Sequence, residues 1–172
     1  MPSAYTRQQE LLTRFLRSEE APHLTVITQH LSPGGIPGRR PEGGFDGELD
    51  ACKRLFPGLK DSTLQDFMRA NKGNPSFEAV YGKPHGLRFI YIPREKPAAQ
   101  NLAEVWPAIH AVHPEARWLL ELSAPGFSAE MDQALLYAVR LQPGGTHSGN
   151  YHFFIRGKCG WKKPKSAAFW IA

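Results

Sequence analysis

The stretch Gln133-Ala-Leu-Leu-Tyr-Ala-Val-Arg-Leu-Gln142 decides the fold, because it reads two ways. Behind Ser128-Ala-Glu-Met-Asp-Gln133 it has the capped start of a helix, while its apolar centre equally suits a buried strand, and periodicity alone does not choose. The tail that follows separates the readings. Tyr151, Phe153 and Ile155 alternate with His152, Phe154 and Arg156, a turn Gly157-Lys-Cys-Gly160 leads to Trp161, and Ala167, Phe169 and Ile171 follow at the same spacing. Period two with short turns is an antiparallel β meander, and a meander needs a partner strand. Residues 133–142 are therefore predicted as strand.

Working outward, residues 4–18 place Leu11, Leu12, Phe15 and Leu16 at helical spacing behind Ser3, which predicts an amphipathic helix. Residues 24–29 are rich in β-branched side chains and predict a short strand. Residues 32–47 are dense in Gly and Pro around Arg39-Arg40 and predict a long loop. Two short helices follow: residues 48–56, with Asp46 as cap and Pro57-Gly58 as stop, and a segment capped by Asp61 or Ser62 and closed by Asn71 to Gly73. After a linker over 74–86, residues 87–92 read as strand, 101–112 as a helix interrupted by Pro107, and 117–123 as a buried strand. The expectation is a single α+β domain over 1–172, with an antiparallel sheet, helices on one face, and a C-terminal meander. The uncovered sheet face, or a pocket between sheet and helices, is then the natural ligand site.

At 172 residues the chain has the length of an ordinary domain, and 41% hydrophobic with 22% charged residues is a globular balance. Its apolar runs are far shorter than the roughly 20 residues a membrane-crossing helix needs. The N-terminus Met1-Pro-Ser-Ala-Tyr-Thr-Arg lacks the basic start and apolar block of an export signal, so the chain reads as cytoplasmic as written, with export as the alternative. Cys52 and Cys159 stand far apart, too isolated for a zinc ribbon, and read as free thiols rather than a disulfide framework. The net charge of +5 gives a weak bias toward acidic partners.

From about residue 45 onward the chain resembles a group of small uncharacterised bacterial proteins. The likeness is carried by Phe56-Pro-Gly-Leu59 with Thr63-Leu-Gln-Asp-Phe67, Trp106 ahead of His113-Pro114, Gly126-Phe127, Ala134-Leu-Leu-Tyr-Ala-Val139, and the closing Trp161 and Trp170-Ile171. The resemblance implies a strand at 134–139, a Gly-containing loop, an aromatic strand, a basic turn before a Trp, and a final strand. It implies no chemistry.

Several residues invite a functional reading, each with a plainer one beside it. His110 and His113 have the three-residue spacing of metal ligands on a helix, but Pro114 and the lack of a third ligand nearby favour ordinary polar surface, so no metal or cofactor is expected. Cys159 sits among Arg156, Lys158, Lys162 and Lys163, a field that activates thiols, yet His147 and His152 do not stand in a catalytic context and a passive turn cysteine is the simpler reading. The run from Arg156 through Lys158, Trp161, Lys162 and Lys163 attracts phosphates and offers an aromatic for stacking; lysines at a sheet edge also merely prevent aggregation. Gly34-Gly35, Gly43-Gly44 and Gly144-Gly145 lack the P-loop context and read as turns. Glu19-Glu20 and Asp46, Glu48 and Asp50 read as helix-end residues rather than a carboxylate pair.

With no catalytic set in view, the leading expectation is a non-enzymatic binding or interaction module for a protein or small-molecule ligand. Its binding candidates are Arg156, Lys158, Trp161, Lys162, Lys163, Arg39 and Arg40. The alternatives are nucleic-acid contact through the 156–165 hairpin and a small hydrolase or transferase using Cys159 or a histidine.

Overall fold

Gln133–Leu141 is a strand, the fifth of eight among the described residues (β5), and it is buried along nearly its whole length. Leu135, Tyr137, Val139 and Leu141 enter one hydrophobic cluster, and the alternating Ala134, Leu136 and Ala138 enter a second on the opposite face. A strand apolar on both faces shows no polar alternation, which is why its sequence resembles a buried helix. In the computed structural model, residues 4–19, 25–28, 44–73, 75–82, 87–90, 102–144, 147–162 and 164–171 are described.

The sheet grows from β5 in both directions. On one side β6 (Ser148–Gly157) pairs antiparallel with it, setting Tyr137 opposite Tyr151 and Leu135 opposite Phe153. Beyond lie β8 (Lys165–Ile171), antiparallel to β6, and the two-residue β7 (Gly160–Trp161), which folds back on the end of β6. On the other side β3 (Trp118–Leu122) runs antiparallel to β5, then β1 (Thr25–Thr28) parallel to β3, then β2 (Phe89–Ile90) parallel to β1. A short β4 (Gly126–Phe127) pairs with the start of β5. The α+β class and the C-terminal meander hold, with a mixed, mostly antiparallel sheet. Its parallel pairs follow from helix-containing crossovers, which return the chain to the same end of the sheet.

Helices lie on both faces, not on one. Helices α2 (Gly44–Leu55), α3 (Asp61–Asn71) and α5 (Leu102–Val112) bring Cys52, Leu64, Phe67, Trp106 and Ile109 to the first cluster, joined by Phe56 just past α2. Helices α1 (Ala4–Ser18) and α4 (Phe77–Tyr81) bring Leu11, Leu12, Phe15, Phe77, Val80 and Tyr81 to the second. The expected one-sided cover fails because β3 and β5 are apolar on both sides, and each side needs cover. A bare sheet face is thus not the ligand site.

Smaller differences are local. Helix α2 begins at Gly44, so 44–47 is helix rather than loop, and residues 32–43 lie outside the described set. Lys60 precedes α3 without a side-chain cap bond, leaving Asp61 in the first turn. The expected linker holds α4, whose Ser76 hydroxyl accepts from the Ala79 N–H at 3.2 Å. Five residues are too few to show a period.

Asn71 does something other than turn the chain. Buried at 3% exposure, its amide donates to the Phe67 and Ala124 carbonyls at 2.8 and 2.9 Å, and its Oδ1 accepts from the Ala124 N–H at 2.8 Å. This ties the end of α3 to the chain leading into β4. Asn71→Leu keeps the volume but leaves both backbone groups of Ala124 buried and unpaired, so urea unfolding should show a loss of about 2–3 kcal/mol. An unchanged midpoint would mean that another group satisfies Ala124.

Candidate functional site

The contact between α3 and the 124–127 backbone forms one wall of a cleft of about 680 Å³. It opens between α1, α3 and residues 125–131. Arg7 comes from α1, Ser62, Asp66 and Arg69 from α3, and Phe127 and Met131 from the loop side. Helical spacing explains the α3 set: with Leu64, Phe67 and Asn71 turned inward, Ser62, Asp66 and Arg69 fall on the flank beside them.

Asp66 is committed to structure. Its Oδ2 accepts from the Phe127 N–H at 2.8 Å, and its Oδ1 pairs with Arg69, whose side chain is 83% exposed. Phe127 supplies an apolar surface, braced from behind by the Trp161 ring at 5.9 Å between centroids. Arg7 differs from both: its Nε is buried and has no hydrogen-bond partner among the described residues.

The rim of the cleft is held in one shape. The Ser128 hydroxyl donates to Asp132 Oδ1 at 2.7 Å and accepts from the N–H groups of Asp132 and Gln133 at 3.1 and 3.0 Å. Met131 takes φ 59°, left-handed backbone that a side chain adopts only when its surroundings impose it. Lys60 reaches across from the start of α3 to Asp132 and Glu130 at 2.7 and 3.0 Å. Hydrogen bonds to Asp132 and then Glu130 hold the Lys60 ammonium above its usual range, and the Lys60 hydrogen bond holds both carboxyls below theirs. The three groups are solvated, so their worth lies in positioning the rim more than in stability.

The residues singled out from sequence are placed elsewhere. Arg156 lies 5.6 Å over the Trp161 ring and 3.6 Å from Glu10, while Trp161 is only 6% exposed. A base has no open indole face to stack on. Lys158 and Lys162 are exposed on the hairpin, and Lys163, Arg39 and Arg40 lie outside the described residues. The two helix-end histidines diverge, His110 Nε2 lying 3.1 Å from the Ala116 carbonyl and His113 Nε2 3.4 Å from that of Phe89. No group of three or more His, Cys, Asp or Glu able to hold a metal occurs among the described residues. Cys52 is buried and Cys159 exposed, neither in a disulfide, and His152 is turned into the core with its Nδ1 2.8 Å from the Ser166 hydroxyl. No helix among the described residues is long and apolar enough to cross a membrane.

Arg7, Asp66 and Arg69 escaped the sequence reading because a charged residue lining a cleft and one on a solvated helix flank look alike along the chain. The one local signal was Gly126-Phe127, which marks the close approach that shapes the wall. Comparison with protein-family models, with curated proteins and with solved structures finds no match to this chain.

Proposed function

We propose that the protein is a non-enzymatic binding module whose cleft between α1, α3 and residues 125–131 holds a small molecule with an anionic head and an apolar body. The observation that carries this reading is Arg7: a guanidinium that lines the same cleft as Arg69 and Phe127 and whose buried Nε has no described acceptor. A planar guanidinium offers a fork of donors that matches a carboxylate or phosphate, and an aromatic surface nearby selects an apolar body. The hydroxyls and carboxylate that line the cleft are engaged in structural hydrogen bonds, Ser62 with the Ala129 N–H, Ser128 with Asp132 and Asp66 with the Phe127 N–H, which supports binding over nucleophilic catalysis. Nucleic-acid contact through the hairpin is the weaker reading, because Trp161 is covered.

Calorimetric titration with benzoate, phenyl phosphate and benzylamine tests the proposal. The two anions should bind and the amine should not, and Arg7→Gln should weaken anion binding about tenfold, the worth of one charge-assisted hydrogen bond. Equal binding of the amine, an Arg7→Gln protein of unchanged affinity, or no binding of either anion at millimolar concentration overturns it.

A further inference from the structure

The turn between β6 and β7 is pinned at both ends. Arg156 pairs with Trp161 and Gly157 with Gly160, the Lys162 N–H donates to the Ile155 carbonyl at 3.0 Å, and Gly160 takes φ 98°. Lys158 and Cys159 are thereby presented at the tip, with Cys159 exposed and free. Under the tip, against α1, lies a second hollow of about 410 Å³ walled by Arg14, Lys158, Cys159, Trp161 and Lys162. It is separate from the cleft described above, for Phe127 and Trp161 pack against each other between the two.

The hollow carries three cations and no carboxylate among its described lining residues. Glu10 stands beside Gly160 on α1 but faces Arg156 at 3.6 Å. Two donors are left over. The Nε of Arg14 and the indole Nε1 of Trp161 are both buried without an acceptor among the described residues, and Trp161 as a whole is only 6% exposed. Buried donors of this kind are ordinarily paired.

We infer that this hollow is an anion site and that Cys159 on its wall is a site of reversible modification by anionic low-molecular-weight disulfides. The Cys159 thiol loses its proton to solvent, and the thiolate Sγ attacks one sulfur of the disulfide R–S–S–R. The S–S bond of the reagent breaks, its electron pair leaves on the departing thiolate, and a mixed disulfide forms on Cys159. The incoming disulfide is the only oxidant the step needs. Selectivity comes from the field of Arg14, Lys158 and Lys162, which concentrates anions at the thiol and disfavours cations.

Stopped-flow exchange at neutral pH distinguishes this from an ordinary exposed thiol. The dianionic dithiobis-nitrobenzoate is compared with the neutral dithiodipyridine, and the ratio of their rates is referred to the same ratio for the uncharged N-acetylcysteine amide. Taking the ratio cancels any difference in thiol ionisation. At low salt the protein should prefer the anion about tenfold over the amide, and the preference should vanish in ~0.5 M salt. Lys158→Gln with Lys162→Gln should remove most of it, with the fold checked by circular dichroism. Cys159→Ser should abolish the fast phase, because Cys52 is 1% exposed. A ratio equal to that of the amide, a ratio indifferent to salt and to the lysines, or a fast phase that survives in Cys159→Ser overturns the proposal.

Discussion

Gly126→Ala should destabilise the protein by about 3 kcal/mol or more, lowering the thermal midpoint by about 10 °C, the shift expected for a chain of this length. A Cβ on Gly126 would stand 2.3 Å from the backbone nitrogen of Phe67 and 2.4 Å from its Cα. Those atoms belong to α3 and cannot rotate away as a long side chain does. Helix α3 would have to lift from β4, and the hydrogen bonds flanking the contact, Asp66 to the Phe127 N–H and Asn71 to Ala124, would stretch with it. The cleft wall is made of that contact, so ligand binding should weaken beyond the effect of lost stability. Gly58→Ala is the control: nothing lies within 4 Å of its added methyl, and its effect should stay within about 0.5 kcal/mol. If the two alanines cost the same in a urea titration, the close approach of α3 to β4 is not what Gly126 serves.

The second large effect is on pH dependence. His152 lies in the core between β6 and α1, its ring edge-on to Phe15 at 4.8 Å, and burial pushes it down from 6.5 to about 4. The unfolded chain therefore takes up a proton at a pH where the folded protein refuses one. Stability from this group is fully present above the unfolded value of 6.5, falls as pH drops through that value, and levels off below about 4. The full loss across the window is about 3 kcal/mol. Below the ordinary carboxyl range, Asp132 and Glu130 add a second decline, because their lowered values mean the folded state holds them charged. Denaturant midpoints measured across the window in the parent and in His152→Phe isolate the histidine. The variant's curve should be flatter between 6.5 and 4 than the parent's, whereas parallel curves would show that His152 is charged in the folded protein.

Both effects depend on partners that sequence does not announce, and so does the site. Period-two alternation from Tyr151 to Arg156 marked β6, and the helical spacing of Leu11, Leu12, Phe15 and Leu16 marked α1, because each of these patterns is local. The strand at 133–142 was legible only through its neighbour: its own residues are apolar on both sides, and that fact became a statement about architecture once both clusters were seen. The same two-sided burial overturned the expectation of helices on one face. Trp161 reads as an aromatic among lysines along the chain, but Phe127 and Arg156 cover it, so its meaning changed from a stacking surface to a brace.

By itself, then, the sequence determined the types of the longer elements, the C-terminal meander and the α+β class, because apolar spacing and turn residues act over a few positions. Only tertiary structure decided that both faces are covered, that Gly126 receives α3, that His152 is desolvated, and that Arg7 and Arg69 line one cleft. Those outcomes rest on contacts between segments far apart in the chain, where the identity of a residue leaves open whether it meets water, a carbonyl or a ring.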